Sequence, residues 1–274
     1  MAHKLIYITS RDNALLVRLR KLARHPGEYR KIGQVLLEGE HLCQAWAARG
    51  AAPPTHALLS ESAWQEGRHL ELADAAAATV IVADALLAEA GTLEAPAPIS
   101  FVVPLPAAAT LEANTPSVVL DRIQDAGNVG SVLRSAGAFG FTQVIALRGT
   151  ASLWSAKVLR AGMGAHFALR LIENAGEEAL AALAVPLLGT SSHAGTALPG
   201  AVLPWPCAWV FGNEGAGIGA GVRDRCARLL QVPQPGGEES LNVAAAAAIC
   251  LYESRRGRGG VRQTAPSGEV PPGA

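Results

Sequence analysis

Ser117-Val-Val-Leu120-Asp-Arg-Ile-Gln-Asp125-Ala-Gly-Asn128-Val-Gly-Ser-Val-Leu-Arg134-Ser-Ala-Gly-Ala-Phe-Gly140 reads as a strand, a loop and a helix in succession. The apolar run Ser117 to Leu120 is the strand, and the loop after it ends at Gly127-Asn128. Asn128 is the expected cap of the apolar helical segment that follows. A helix start with exposed backbone N–H groups suits an anionic group, and Arg134 lies on the same helix within side-chain reach. Capping alone accounts for Asn128, and a surface ion pair for Arg134, so on its own this segment defines a local fold and leaves its chemistry open.

Two further glycine-bearing segments sit where an apolar strand ends. Ala208-Trp-Val-Phe-Gly212-Asn-Glu214-Gly-Ala-Gly-Ile-Gly-Ala220 holds a loose Gly-x-Gly-x-x-Ala match at Gly215, Gly217 and Ala220, which invites a nicotinamide or nucleotide reading. Against that reading, the loop lies late in the series of strands, and no strand-ending acid follows about twenty residues on. No Gly-Lys-Ser/Thr closes it, so it is not a phosphate loop of the Walker type. What remains is a tight turn presenting Glu214 at the carboxyl end of a strand, where open α/β sheets bind ligands. In the third segment, Leu230-Gln-Val232 runs to Pro233, a Gly-Gly turn follows, and Ser240-Leu-Asn242 leads into an alanine-rich helix ending near Tyr252. Ser240 is the expected cap. The small residues allow close approach to a neighbouring backbone or a symmetry mate, and a buried helix explains them equally well.

Outward from these segments the chain alternates strands and helices. Strands are expected at Ser117 to Leu120, Gln143 to Ala146, Ala168 to Ile172, Pro186 to Thr190, Ala208 to Phe211 and Leu229 to Val232. Such alternation predicts a largely parallel sheet with helices on both faces. Before Thr110 a smaller α/β unit is expected: a basic helix from Asn13 to Arg24, a helix from His41 to Arg49, an Ala-rich helix from Ser62 onward, and strands at Gln34 to Glu38, His56 to Leu59, Thr79 to Val82 and Ile99 to Val103. The Pro- and Ala-rich stretch between them places a linker at 107–113 and domains at 1–106 and 114–256. Residues 257–274, rich in Arg, Gly and Pro, hold too little apolar surface to offset their ordering entropy and are expected to be disordered.

The 274 residues, 50% of them hydrophobic, suffice for two cores. The formal net charge is zero, but it is unevenly spread. Arg11, Arg18, Arg20, Lys21, Arg24, Arg30 and Lys31 make a basic N-terminal run, whereas Glu61 to Glu112 is acidic except for Arg68. Cys43, Cys207, Cys226 and Cys250 show neither a CxxC pair nor interleaved histidines, so free buried thiols and no metal are expected. Without a signal peptide or an apolar run of membrane-spanning length, the expectation is a protein of the reducing cytoplasm.

In this order the three segments resemble the signature motifs of the SpoU (TrmH-like) branch of the SPOUT methyltransferases. The first resembles an Asn-x-Gly-x-x-x-Arg block trailing Ala-Phe-Gly, the second a Phe-Gly-Asn-Glu-Gly-x-Gly block, and the third an Ile/Val-Pro block followed by Ser-Leu-Asn-Val-x-x-Ala. Two departures are Asp125-Ala126 for the usual Asp-Pro and Val232 for the commoner Ile. The region from Ile6 to Val103 is similar, more loosely, to the ribosomal-protein-like substrate-binding domain that precedes this catalytic domain in several ribosomal RNA methyltransferases. The resemblance implies an α/β SPOUT domain with a deep trefoil knot, S-adenosylmethionine as cofactor, and transfer of methyl to a ribose 2′-hydroxyl of RNA. It implies a homodimer with the pocket at or near the interface. It assigns Asn128, Arg134, Glu214, Ser240 and Asn242 to catalysis, and Thr190, Gly212, Val232 and Leu241 to the cofactor. Ribosomal RNA is the expected substrate. Transfer RNA, and a non-catalytic RNA-binding or ribosome-assembly role, are the alternatives.

Overall fold

The computed structural model describes residues 4–49, 52–93, 95–191, 195–236 and 240–256, so the tail expected to be disordered lies outside the described residues. The first unit runs β1 (Lys4–Ile8), α1 (Ala14–Arg24), α2 (Glu28–Ile32), β2 (Gln34–Glu38), α3 (Glu40–Ala47), β3 (His56–Ser60), α4 (Glu61–Gln65), α5 (Leu70–Ala73), β4 (Ala78–Val82), α6 (Asp84–Ala90) and β5 (Ile99–Pro104). Its five strands form one sheet in the order β1-β4-β3-β5-β2, parallel among β1, β4 and β3 and antiparallel thereafter. The sequence reading omitted β1, an edge strand whose Leu5 and Tyr7 remain exposed. The helix expected from Ser62 onward is instead two short ones, broken where Gly67 and His69 take left-handed backbone, at φ 68° and 61°.

The second unit runs β6 (Ser117–Asp121), α7 (Ala126–Ala138), β7 (Gln143–Leu147), α8 (Ala156–Gly162), β8 (Arg170–Ala175), β9 (Leu187–Thr190), β10 (Thr196–Ala197), β11 (Ala208–Gly212), α9 (Ala220–Arg223), β12 (Arg228–Gln231) and α10 (Val243–Arg256). Its seven strands lie in the order β10-β12-β9-β11-β6-β7-β8, and every neighbouring pair is parallel. The central strands β6, β7, β9 and β11 are covered on both faces, which is why they read as nearly continuous apolar runs. Val118, Leu120, Trp209 and Phe211 face the larger core with α7, α8 and α10, while Val119 and Val210 face a smaller one with Leu180, Ile218 and Val222. The two-residue β10 carried no signal in the sequence.

Helix α7 crosses α8 so closely that a Cβ on Gly130 would meet the Val158 carbonyl oxygen at 2.8 Å. Helix α10 lies on α7 and β11, with Phe139 edge-on to Tyr252 at 5.8 Å and Trp209 Nε1 donating to Ser254 Oγ at 2.8 Å. The two units meet around Glu173, whose Oε1 accepts from Tyr29 Oη (2.6 Å), Arg30 Nη2 (2.9 Å) and the Leu153 N–H (2.7 Å). Trp46 stands edge-on to Phe167 at 5.2 Å beside it. The basic and acidic runs partly cancel: Glu89 pairs with Arg11 and Arg20. Arg30 belongs to the contact between the units. Cys43, Cys207 and Cys250 are buried, whereas Cys226 is only partly so.

Candidate active site

The strands of the second sheet run parallel, so their carboxyl ends share one edge. Gly212 ends β11 and Thr190 ends β9; these strands are neighbours in register Val210 to Gly189, and Thr190 Oγ1 donates to the Val210 carbonyl at 3.2 Å. β12 pairs with β9 on the other side, and Val232 follows its last residue. Three of the four residues assigned to a cofactor thus close adjacent strands. Leu241, the fourth, is 39% exposed just ahead of α10.

The loop after β11 doubles back on itself: the backbone of Asn213 and Gly217 exchange hydrogen bonds at 3.1 and 2.9 Å. Gly212 is required by that fold, since a Cβ there would overlap the backbone of Gly217 and Ile218. The Asn213 Oδ1 accepts from the N–H groups of Gly215 (3.0 Å) and Ala216 (2.9 Å), giving the turn its shape. Glu214 is thereby held out toward the start of α7. Its Oε1 accepts from Asn128 Nδ2 at 3.1 Å, and Asn128 Oδ1 in turn accepts from Asn242 Nδ2 at 2.9 Å. One chain of hydrogen bonds therefore joins all three signature segments.

Two capping assignments are corrected. Asp125, not Asn128, caps α7: its Oδ1 accepts from the Asn128 N–H at 2.7 Å, and the helix begins at Ala126. Asn242, not Ser240, caps α10, with Oδ1 accepting from the N–H groups of Ala244 and Ala245 at 2.9 and 3.3 Å. In both cases two capping residues lay within a few positions, and packing chose between them. The Asn128 side chain is released from capping to reach Glu214.

Burial pushes the Glu214 carboxyl upward, but hydrogen bonds from Asn128 and from backbone N–H groups outweigh it and leave the group below its ordinary range. It is a carboxylate acceptor at neutral pH. Arg134 is exposed on α7, about 9 Å along the axis from Asn128, and makes no hydrogen bond or ion pair among the described residues. Ser240 is exposed too and, among the described residues, does not join the chain of hydrogen bonds. Sequence reasoning passed over Asp121, Arg122, Asp125 and Asn213. Asp and Asn just after strands are frequent turn and cap formers, and that signal was available for Asp125 and Asn213. Among the described residues no cluster fit to bind a metal occurs, and no helix is long and apolar enough to cross a membrane.

A parallel α/β sheet with a polar cluster at its carboxyl edge, joined to a smaller α/β unit, is the architecture of a two-unit ligand-binding enzyme. Residues 116–252 match the SpoU rRNA Methylase family, and the chain belongs to that family. It is 36% identical over 141 residues to the 23S rRNA (guanosine(2553)-2′-O)-methyltransferase RlmP of Bacillus subtilis, covering 50% of this chain and 57% of that one, so the match spans little more than half of that relative. It is 31% identical over 269 residues to the uncharacterized tRNA/rRNA methyltransferase slr1673 of Synechocystis, covering 91% of this chain and 93% of the relative. Its fold superposes on the SpoU methyltransferase AviRb of Streptomyces viridochromogenes, solved in complex with AdoMet, with a TM-score of 0.75 at 25% identity over 90% of this chain and 99% of that one.

Proposed function

We propose that this chain transfers a methyl group from S-adenosylmethionine to a ribose 2′-hydroxyl of RNA, ribosomal RNA before transfer RNA. The observation that carries the reading is the continuous hydrogen-bond chain Asn242, Asn128, Glu214 at the carboxyl edge of the sheet. The name of RlmP supports ribosomal RNA, while the relative spanning the whole chain is named for both RNAs.

The ends of β9, β11 and β12 fit an adenosine group. They offer backbone groups beyond the last sheet pairing; just past β12 lie the partly buried Val232 and Gln234, whose buried Oε1 has no partner among the described residues, and Leu241 stands exposed ahead of α10. Thr190, Gly212, Val232 and Leu241 are the residues that would hold it. When bound, S-adenosylmethionine supplies an electrophilic methyl on a sulfonium. The protein then has to align the attacking oxygen with the methyl carbon and sulfur; as the O–C bond forms and the C–S bond breaks, the hydroxyl proton passes to solvent water. Arg134, always charged and without a hydrogen-bond or ion-pair partner among the described residues, suits orientation of the hydroxyl and its neighbouring phosphate better than proton abstraction. Glu214 fixes Asn128, and Asn128 and Asn242 present amide groups to the ribose, with Ser240 beside them.

In this reading residues 1–106 recognise RNA, 107–113 link, 114–256 catalyse and carry a trefoil knot, and 257–274 form a disordered tail. The enzyme is a cytoplasmic homodimer. Insertion of β11 between β6 and β9, with α10 returned onto α7, supports the knot; exposed Ile249 and Tyr252 on α10 support a second copy there. The test is transfer of labelled methyl from S-adenosylmethionine to ribosomal RNA, with mapping of methylated riboses in cells with and without the gene. Stabilisation to heat by S-adenosylhomocysteine but not by NAD or ATP is expected. Stabilisation by NAD alone, or RNA lacking new ribose methylation, would overturn the reading.

A further inference from the structure

Both ends of the glycine-rich loop 213–219 are fastened to one pair of residues that no signature assignment uses. Asp121, 1% exposed at the end of β6, accepts from the Gly219 N–H on Oδ2 at 2.7 Å. Arg122 closes on the same carboxylate with both arms of its fork, Nε to Oδ1 at 2.7 Å and Nη2 to Oδ2 at 3.0 Å. Its carbonyl accepts from Asn213 Nδ2 at 2.9 Å, the amide whose oxygen shapes the turn. That carbonyl is aimed by left-handed backbone, φ 59°, a conformation unusual for arginine. Thr150 Oγ1 supports it, accepting from the Arg122 N–H at 3.1 Å and donating to the Leu120 carbonyl at 2.9 Å. At the far end of the loop a Cβ on Gly219 would meet Arg122 Nη2 at 2.8 Å, so that end packs directly against the guanidinium.

We propose that Asp121 and Arg122 are positioning residues for the methyl transfer proposed above: they pin the start and the end of the loop, and so deliver Glu214, which lies between, to Asn128. Displacing a carboxylate by an ångström is enough to misalign a reacting pair. Among the described residues the pair makes no hydrogen bond to Asn128 or Asn242, and its effect passes through the loop.

Arg122→Asn tests this, because Asn tolerates left-handed backbone while lacking the fork; Asp121→Asn is the second variant. Amide hydrogen exchange reads the brace without reference to activity. Faster exchange is expected at Gly215, Ala216, Gly217 and Gly219 in Arg122→Asn, with β6 and β11 unchanged; unchanged exchange in the loop overturns the proposal. In methyl transfer, Arg122→Asn is expected to lower kcat by about 10²-fold. Combined with Glu214→Gln it should add less than about threefold to the loss from Glu214→Gln alone, as expected of residues acting as one unit. Losses that multiply would show that Arg122 acts elsewhere and sink the proposal. If the wild-type protein methylates no RNA, the functional reading fails and hydrogen exchange still judges the brace.

Discussion

Glu214 takes one hydrogen bond from the Asn128 amide and another, at 3.4 Å, from the Asp125 N–H, both of which favour its charged form. Its folded value lies below the ordinary 4.5, so the carboxylate persists as pH falls through that value and its hydrogen bonds are lost only below it. Methyl transfer measured between pH 8 and 5 should therefore show no acid limb from this residue, whereas Glu214→Gln should lower kcat by about 10²-fold throughout the range. His166 shows the opposite balance. Burial lowers its ring from 6.5 to about 4, against a smaller upward effect of the Leu153 carbonyl, 2.9 Å from Nε2. The unfolded chain then binds a proton that the folded one refuses between those two values. Stability is complete above pH 6.5 and falls by about 3 kcal/mol as pH drops toward 4. Urea midpoints followed over that window should fall, and His166→Phe should flatten the contribution. The residue types at the site were legible in the sequence, but their partners were not: Asn128 and Asn242 each carry an amide that can cap or bridge, and only the folded loops show which role each side chain takes.

At the scale of elements, the start of α7 illustrates how far local rules reach. Asp125 caps it and Ala126 occupies the first helical position, where a fixed φ is already suitable and no N–H is needed. Ala126→Pro should therefore stabilise the protein by about 0.5 to 1 kcal/mol by restricting the unfolded chain. A rise in melting temperature without loss of methyl transfer is the expected result; a fall would mean that the helix start is held in another geometry. Strands with both faces covered were legible because burial on two sides makes uninterrupted apolar runs. The edge strand β10 was not, because it is two exposed residues, Thr196 and Ala197, and carries no such run; β1 does carry one in Leu5-Ile6-Tyr7-Ile8 and was passed over. The break between α4 and α5 depends on left-handed residues, one of which is a histidine that propensity does not mark.

For the whole molecule, Glu173 is a polar tie between the two units, its single oxygen accepting from Tyr29 and Arg30 of one unit and from Leu153 of the other, beside bonds from His41 to the Met163 carbonyl and from Arg160 to Thr92 and a hydrophobic core that runs through both units. Glu173→Ala leaves two partly buried donors without an acceptor and should cost roughly 2 kcal/mol. Calorimetry is expected to show the units beginning to melt separately, and an unchanged single transition would assign their coupling to the shared hydrophobic core, Trp46 and Phe167 included. Sequence alone determined the α/β class, the parallel sheet and the three segments that gather at its edge, because burial periodicity and glycine placement are local properties of the chain. The tertiary structure alone decided that Asn128 bridges without capping while Asn242 does both, that Asp121 and Arg122 hold the glycine-rich loop at both ends, and that much of the basic run is spent on Glu89 and Glu173. Each of these depends on a partner far away in the chain, and distances across a fold are set by packing rather than by spacing along the backbone.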